Sequence, residues 1–134
     1  MSCHVCDGLA GAEDRVVYDD PAWRAFQVAE VPGWVMLAPK EHVEGMWGLS
    51  DEQSARFGPA LRDLSAAVKQ ATGADRVYLM YLGESAKHFH AGLFPLAPGA
   101  EPLVDNSRIA AAAVAGDPER AQSVRAAIRA ALTG

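Results

Sequence analysis

Two histidines one residue apart, in Lys87-His88-Phe89-His90-Ala91-Gly92-Leu93-Phe94-Pro95, are the side chains of this sequence best suited to chemistry. A neutral imidazole near pH 7 is both a nucleophile and a metal ligand. Read as a strand, the stretch has a period of two. His88, His90, Gly92 and Phe94 then share one face, with Phe89, Ala91 and Leu93 on the other. Imidazoles at neighbouring same-face positions sit about 7 Å apart, so one can hold a metal while the other faces a substrate. An isolated His-x-His is equally compatible with two surface or core histidines. Here the chain also supplies Cys3, Cys6 and His42, three further residues of metal-ligand type.

The elements that would position these residues follow from local pattern. Cys3-His4-Val5-Cys6 can be a redox pair, a small disulfide or half of a zinc site, and Asp7-Gly8 behind it is a turn signal. No strand precedes the pair and no helical pattern follows it, which disfavours the redox reading. A structural zinc site needs four ligands, and C-x-x-C sites use the outer pair, leaving His4 turned away. Residues 15–18 and 23–28 read as two short strands joined by Asp19-Asp20-Pro21. Pro32-Gly33 makes the next turn, and residues 34–38 form an apolar strand ending at Pro39, just before Lys40-Glu41-His42.

Ser50-Asp51-Glu52-Gln53 has the form of a capping box, with Phe57, Leu61, Leu64 and Val68 behind it as an apolar stripe suited to packing on a sheet. Pro59 predicts a kink or a later start for this helix, and Gly73 ends it. Residues 77–82 read as a strand and Gly83-Glu84-Ser85 as a turn leading into the histidine strand. Residues 96–103 read as a loop and 107–115 as helical. Asp117-Pro118 opens a last helix with Val124, Ala127, Ile128 and Leu132 as its apolar stripe and Arg120, Arg125 and Arg129 as a solvated face.

The 134 residues suit one domain with a real core. A net charge of −5 argues against nucleic acid as a partner, because non-specific phosphate-backbone binding needs a basic surface, but leaves room for one nucleotide held by local donors. No apolar run is long enough to span a bilayer, so no membrane partner is expected. The N-terminus lacks the basic and apolar segments of a signal peptide, and two cysteines three apart cannot staple a fold. A reduced, cytoplasmic setting is the resulting expectation.

In order, C-x-x-C, strand, Pro-Gly-strand, Pro-Lys-x-His, helix, strand and His-x-His-x-x-x-x-Pro resemble the histidine-triad (HIT) superfamily over residues 3–95. The most specific parts are the segment from Pro32 to His42 and the histidine strand. The resemblance implies an α+β fold: an antiparallel sheet of about five strands with a long helix packed on it, usually dimeric. Residues 1–11 would be a zinc-binding segment and 104–134 a C-terminal helical extension. The middle motif histidine, here His90, would attack the α-phosphorus of a nucleotide, in a hydrolase or a nucleotidyl transferase. Zinc-containing members, including the galactose-1-phosphate uridylyltransferase branch, place their ligands at positions that are Cys3, Cys6, His42 and His88 here. Two sulfurs and two nitrogens suit a closed tetrahedral site, hence a structural Zn2+. Ser85 matches a position where members often carry a hydroxyl near the phosphate, and the backbone of Gly83 and Glu84 belongs to the same turn. Lys87 reads as a solvated charge.

The sequence departs from that pattern at four places. The third motif position is Gly92, which offers the phosphoryl group only backbone. Trp34 replaces the histidine usual after Pro-Gly, and Leu96 rather than arginine follows Pro95. The polar residue that grips the ribose is not evident, with Gln27 the nearest candidate. These departures keep open a protein of this fold that binds a nucleotide or other phosphate ligand without turnover, and a zinc-stabilised interaction domain outside the family.

Overall fold

The computed structural model describes residues 3–10, 13–81, 83, 87–99 and 116–133, apart from the side chains of His4 and Glu13. The elements are α1 (His4–Ala10), β1 (Val16–Asp19), β2 (Trp23–Gln27), β3 (Val35–Pro39), α2 (Asp51–Thr72), β4 (Arg76–Met80), β5 (Ala91–Leu96) and α3 (Pro118–Thr133). The five strands form one antiparallel sheet in the order β1-β2-β3-β5-β4, so the fold is α+β as the sequence implied.

Alternation along the strands divides the sheet into two faces. Trp23, Ala25, Val35, Leu37 and Leu93 point to the face covered by α2 and α3, in one core with Leu64, Ala67, Val68, Phe89, Val124 and Ile128. Phe26 and Ala38 point the other way and pack against Val5 and Leu9 of α1. Farther along that second face, Phe94 and Val31 cluster with Trp34, Tyr78 and Met80.

The long helix starts where the capping box places it. Ser50 Oγ accepts from the Gln53 backbone N–H at 3.1 Å, and Gln53 Oε1 accepts from the Ser50 N–H at 2.7 Å. Gly73 closes the helix at φ 68°, the left-handed conformation that a side chain would strain. Pro59 neither shifts the start nor ends the helix. It and Ala55, whose carbonyl loses its partner, are both exposed, so water can satisfy the freed oxygen.

Several sequence expectations need correction. Asp7-Gly8 is not a turn, because α1 runs through it. A Cβ on Gly8 would lie 2.7 Å from the Phe26 ring, so the glycine serves close helix–sheet approach. The histidine strand begins only at Ala91, the last residue paired with β3 through Leu37. His88 and His90 lie just before it, because the Pro39 carbonyl is occupied by the His88 ring rather than by a ladder N–H. β5 runs on through Leu96, with Pro95 tolerated because its pairing with β3 has already ended at Leu93. In α3, Asp117 caps the helix as expected, accepting from the Arg120 N–H at 3.1 Å, but Ala127 is exposed.

The arginines of α3 are not one solvated face. Arg125 is buried, 3.6 Å from Glu30, and Arg129 donates from Nε to the Val16 carbonyl at 2.7 Å. Only Arg120 is exposed. The expected helix over 107–115 lies outside the described residues.

Candidate metal centre and active site

Three elements meet at one corner of the second sheet face. Cys3 and Cys6 come from the start of α1, His42 from the loop leaving β3, and His88 from the approach to β5. Their ligand atoms all lie within 4.8 Å of one another. His88 Nδ1 is 3.7 Å from Cys3 Sγ and 3.3 Å from Cys6 Sγ, and His42 Nδ1 is 3.5 Å from Cys6 Sγ. Zn–S and Zn–N bonds at a tetrahedral angle put sulfur and nitrogen about 3.6 Å apart. The spacings bracket that value, so the donor set fits a tetrahedral, sulfur-tolerant cation such as zinc. Both cysteines are free of disulfide.

The corner is braced from several directions. Arg24 Nη1 donates to the Leu9 carbonyl at 2.7 Å, fastening α1 to β2. The Phe89 N–H donates to the Val43 carbonyl at 2.6 Å, so one backbone bond joins the segments carrying His88 and His42. His88 is fully buried and its Nε2 lies 2.8 Å from the Pro39 carbonyl, which sets Nε2 as the N–H and leaves Nδ1 to face the sulfurs. Burial pushes the His88 imidazole below its ordinary pKa; His42 and His90 add to that, and the Pro39 bond opposes it. The ring is therefore held neutral, the form that ligates. Burial, then the hydrogen bond and charge of Cys3, push the Cys6 thiol up. Two crowded thiolates are unfavourable on their own, and a divalent cation between them reverses that penalty.

His90 stands beside this corner, half-buried. Its Nδ1 lies 2.8 Å from the His88 carbonyl and donates to it, so Nε2 carries the free lone pair and has no partner among the described residues. The Tyr81 ring meets His90 edge-on at 5.7 Å and Phe89 at 4.8 Å, and its hydroxyl donates to the Glu44 carbonyl at 3.3 Å. Tyr81 is a positioning residue that sequence reasoning missed. Nothing in an isolated tyrosine at a strand end marks it.

Gly92 lies two residues after His90, in the second position of β5. A Cβ there would lie 3.6 Å from the Met80 carbonyl and 3.9 Å from Trp34 Nε1, ordinary contacts that leave the position open to a side chain. The two replaced histidine positions, 34 and 92, are thus neighbours in space. Gln27 is placed elsewhere. It projects with Trp23 and Ala25 toward the helices and is 1% exposed. In the orientation that satisfies both ends of its amide, nitrogen donates to the Ala121 carbonyl at 3.1 Å and oxygen accepts from Arg125 Nη1 at 3.0 Å. The sheet separates it from Gly92. Of the candidate phosphate turn, Gly83 is described, while Glu84 and Ser85 lie outside the described residues. Lys87 is exposed.

No family model and no curated protein matches this sequence. Solved structures do. A hypothetical histidine triad nucleotide-binding protein of Sulfolobus tokodaii superposes with a TM-score of 0.74 at 21% identity, over 98% of this chain and 92% of the other. A zinc-bound histidine triad family protein of Mycobacterium smegmatis gives 0.71 at 20% identity, over 98% and 94%. A uridylyltransferase gives 0.71 at 26% identity, with 98% of this chain covering 45% of that longer one. The five-stranded antiparallel sheet with its packed long helix is the histidine-triad fold.

Proposed function

We propose that this protein is a histidine-triad enzyme acting at the α-phosphate of a nucleotide or nucleotide-derived small molecule, with His90 as nucleophile. The observation that carries the reading is the 2.8 Å bond from His90 Nδ1 to the His88 carbonyl. It directs the free lone pair of Nε2 outward and offers an acceptor for the positive charge that the ring gains on attack. The Nε2–phosphorus bond forms as the bond from phosphorus to the leaving group breaks, and the leaving group departs with the electron pair and takes up a proton. Water or another acceptor then attacks phosphorus, the P–N bond breaks with its electrons returning to Nε2, and the acceptor's proton passes to solvent.

Cys3, Cys6, His42 and His88 would hold a structural zinc. With four protein ligands it would have no open position for substrate or water, and its contribution would be to fix the segment before His90. Gly83, Glu84, Ser85 and Gly92 are the proposed phosphate-side contacts. The burial of Gln27 supports a packing role for it in place of the ribose contact. A homodimer fits the exposed edge strand β4, where Leu79 is 56% exposed. No described helix is long and apolar enough to cross a membrane. One sheet with both long helices on the same face supports residues 1–134 as a single domain, and two thiols free of disulfide fit the reduced setting of a cytoplasmic protein.

Intact-mass spectrometry after brief mixing with nucleoside phosphates, phosphoramidates and nucleotide sugars tests the reading. The expected result is a mass gain of one nucleoside monophosphate in the native protein and none in His90→Ala. Gly92 and Trp34 favour a second reading, a binder without turnover: binding of a nucleotide with neither adduct nor product from any compound would establish it instead.

A further inference from the structure

The space over Gly92 is bounded by a donor with nothing to donate to. Trp34 Nε1 has no hydrogen-bond partner among the described residues. Every fully buried side-chain nitrogen and oxygen in that set does have a partner. The indole N–H therefore lies where solvent, or a ligand, reaches it. The Trp34 ring is fixed edge-to-face on Phe94, with centroids 5.8 Å apart, and its backbone N–H donates to the Val31 carbonyl at 3.1 Å. A rigidly held donor costs little further ordering when a ligand arrives.

This donor borders the notch left by a missing side chain, 3.9 Å from where a Cβ on Gly92 would stand, with the Met80 carbonyl oxygen 3.6 Å from the same point. Gly92 is two residues from His90, so their Cα atoms lie no more than about 7 Å apart. A single tetrahedral oxyanion group with its substituents can span that interval. We propose that Trp34 Nε1–H holds an anionic oxygen of the ligand in the Gly92 notch, beside the His90 ring. The bulk of the indole and the absence of a side chain at 92 are then complementary parts of one subsite. The ligand oxygen fills the room that a residue 92 side chain would take, and the indole closes it from the side. This rests on the reading of His90 as the reacting group and adds to it a residue that selects for charge next to the sugar.

The test compares binding of a nucleoside 5′-monophosphate with binding of the same nucleoside, by titration calorimetry, in the native protein and two variants. Trp34→Phe keeps a ring against Phe94 and removes the N–H. Loss of a hydrogen bond to a charged group should weaken monophosphate binding about tenfold or more and leave nucleoside binding unchanged. Gly92→Ala adds a methyl group at ordinary contact distances, so it folds while filling the notch, and should weaken the monophosphate alone. Equal weakening of both ligands would mean that Trp34 supplies only apolar surface, and unchanged affinities in both variants would also overturn the subsite. Failure of the native protein to bind any nucleotide would remove the His90 reading as well. A native adduct on His90 with unaltered discrimination in the variants would remove this inference alone.

Discussion

His88 donates from Nε2 to the carbonyl of Pro39 at 2.8 Å, and that single bond both ends the β3–β5 ladder and turns Nδ1 toward two sulfurs. Purified protein should carry about one zinc per chain, and stripping it with a chelator should lower the melting temperature by on the order of 10 °C or more. His42→Ala, at the exposed ligand, should reduce zinc content with less damage to the fold than His88→Ala, which also empties a buried position. Atomic absorption and thermal unfolding on the three proteins check this. A zinc-free native protein with an unchanged melting temperature would contradict it.

Two glycines should respond to alanine to very different extents. Gly8 faces the Phe26 ring, where a Cβ would stand only 2.7 Å from ring carbons, so Gly8→Ala must push α1 off the sheet. The expected cost is about 1–3 kcal/mol, with weakened zinc retention because Cys6 lies on that helix. Gly58, inside α2, has nothing within 4 Å of its Cβ position beyond its own helix and chain neighbours. Gly58→Ala should change stability by less than about 1 kcal/mol, because the gain in helix propensity is offset by the contact of the new Cβ with the Pro59 ring that follows it. Denaturant midpoints measure both.

Asp19 sets part of the acid response. Its hydrogen bond to Lys40, with Arg24 adding to it, holds the carboxyl below its ordinary pKa, and desolvation opposes them. A carboxyl depressed on folding stabilises the native state fully above its unfolded pKa and loses that contribution as pH falls through the folded value. Asp19→Asn should therefore be less stable than the native protein near pH 6, with the difference closing as the solution is acidified below about pH 4. A difference that stays constant across that range would show that the carboxylate charge is not what matters.

Arg125 should matter more than a surface arginine. It is 7% exposed and serves both Glu30 and the Gln27 amide, so Arg125→Ala leaves two acceptors short of a donor under α3. A destabilisation of about 2–4 kcal/mol is expected, with any activity at His90 retained in the folded fraction because the sheet lies between them. Unfolding curves and specific activity read the two effects separately.

The boundaries of α2 were legible because each end has a local chemical signal, the Ser50 box and Gly73. The four residues of the candidate metal site were legible as residue types and through the resemblance to a family pattern. The proximity of Cys3 to His88 was not written in spacing, since 85 positions separate them. Failures came where a distant partner decided the outcome. Asp7-Gly8 has turn composition, yet the Phe26 ring demands a glycine within a helix. Arg125 and Arg129 have surface composition, yet Glu30 and the Val16 carbonyl draw them in. Gln27 is polar at the right distance along the chain, but strand alternation turned it under α3, against Ala121 and Arg125.

The same separation bears on how the chain is made. Cys3 and Cys6 are synthesised well before His88, which follows Cys6 by 82 positions and takes its place only when β5 can pair with β3. The two thiols must wait, reduced and uncovered, while most of the sheet is translated. The earlier-made α1 segment is thus locked only after the later-made strand arrives, and until then its two thiols are preserved only in reducing surroundings.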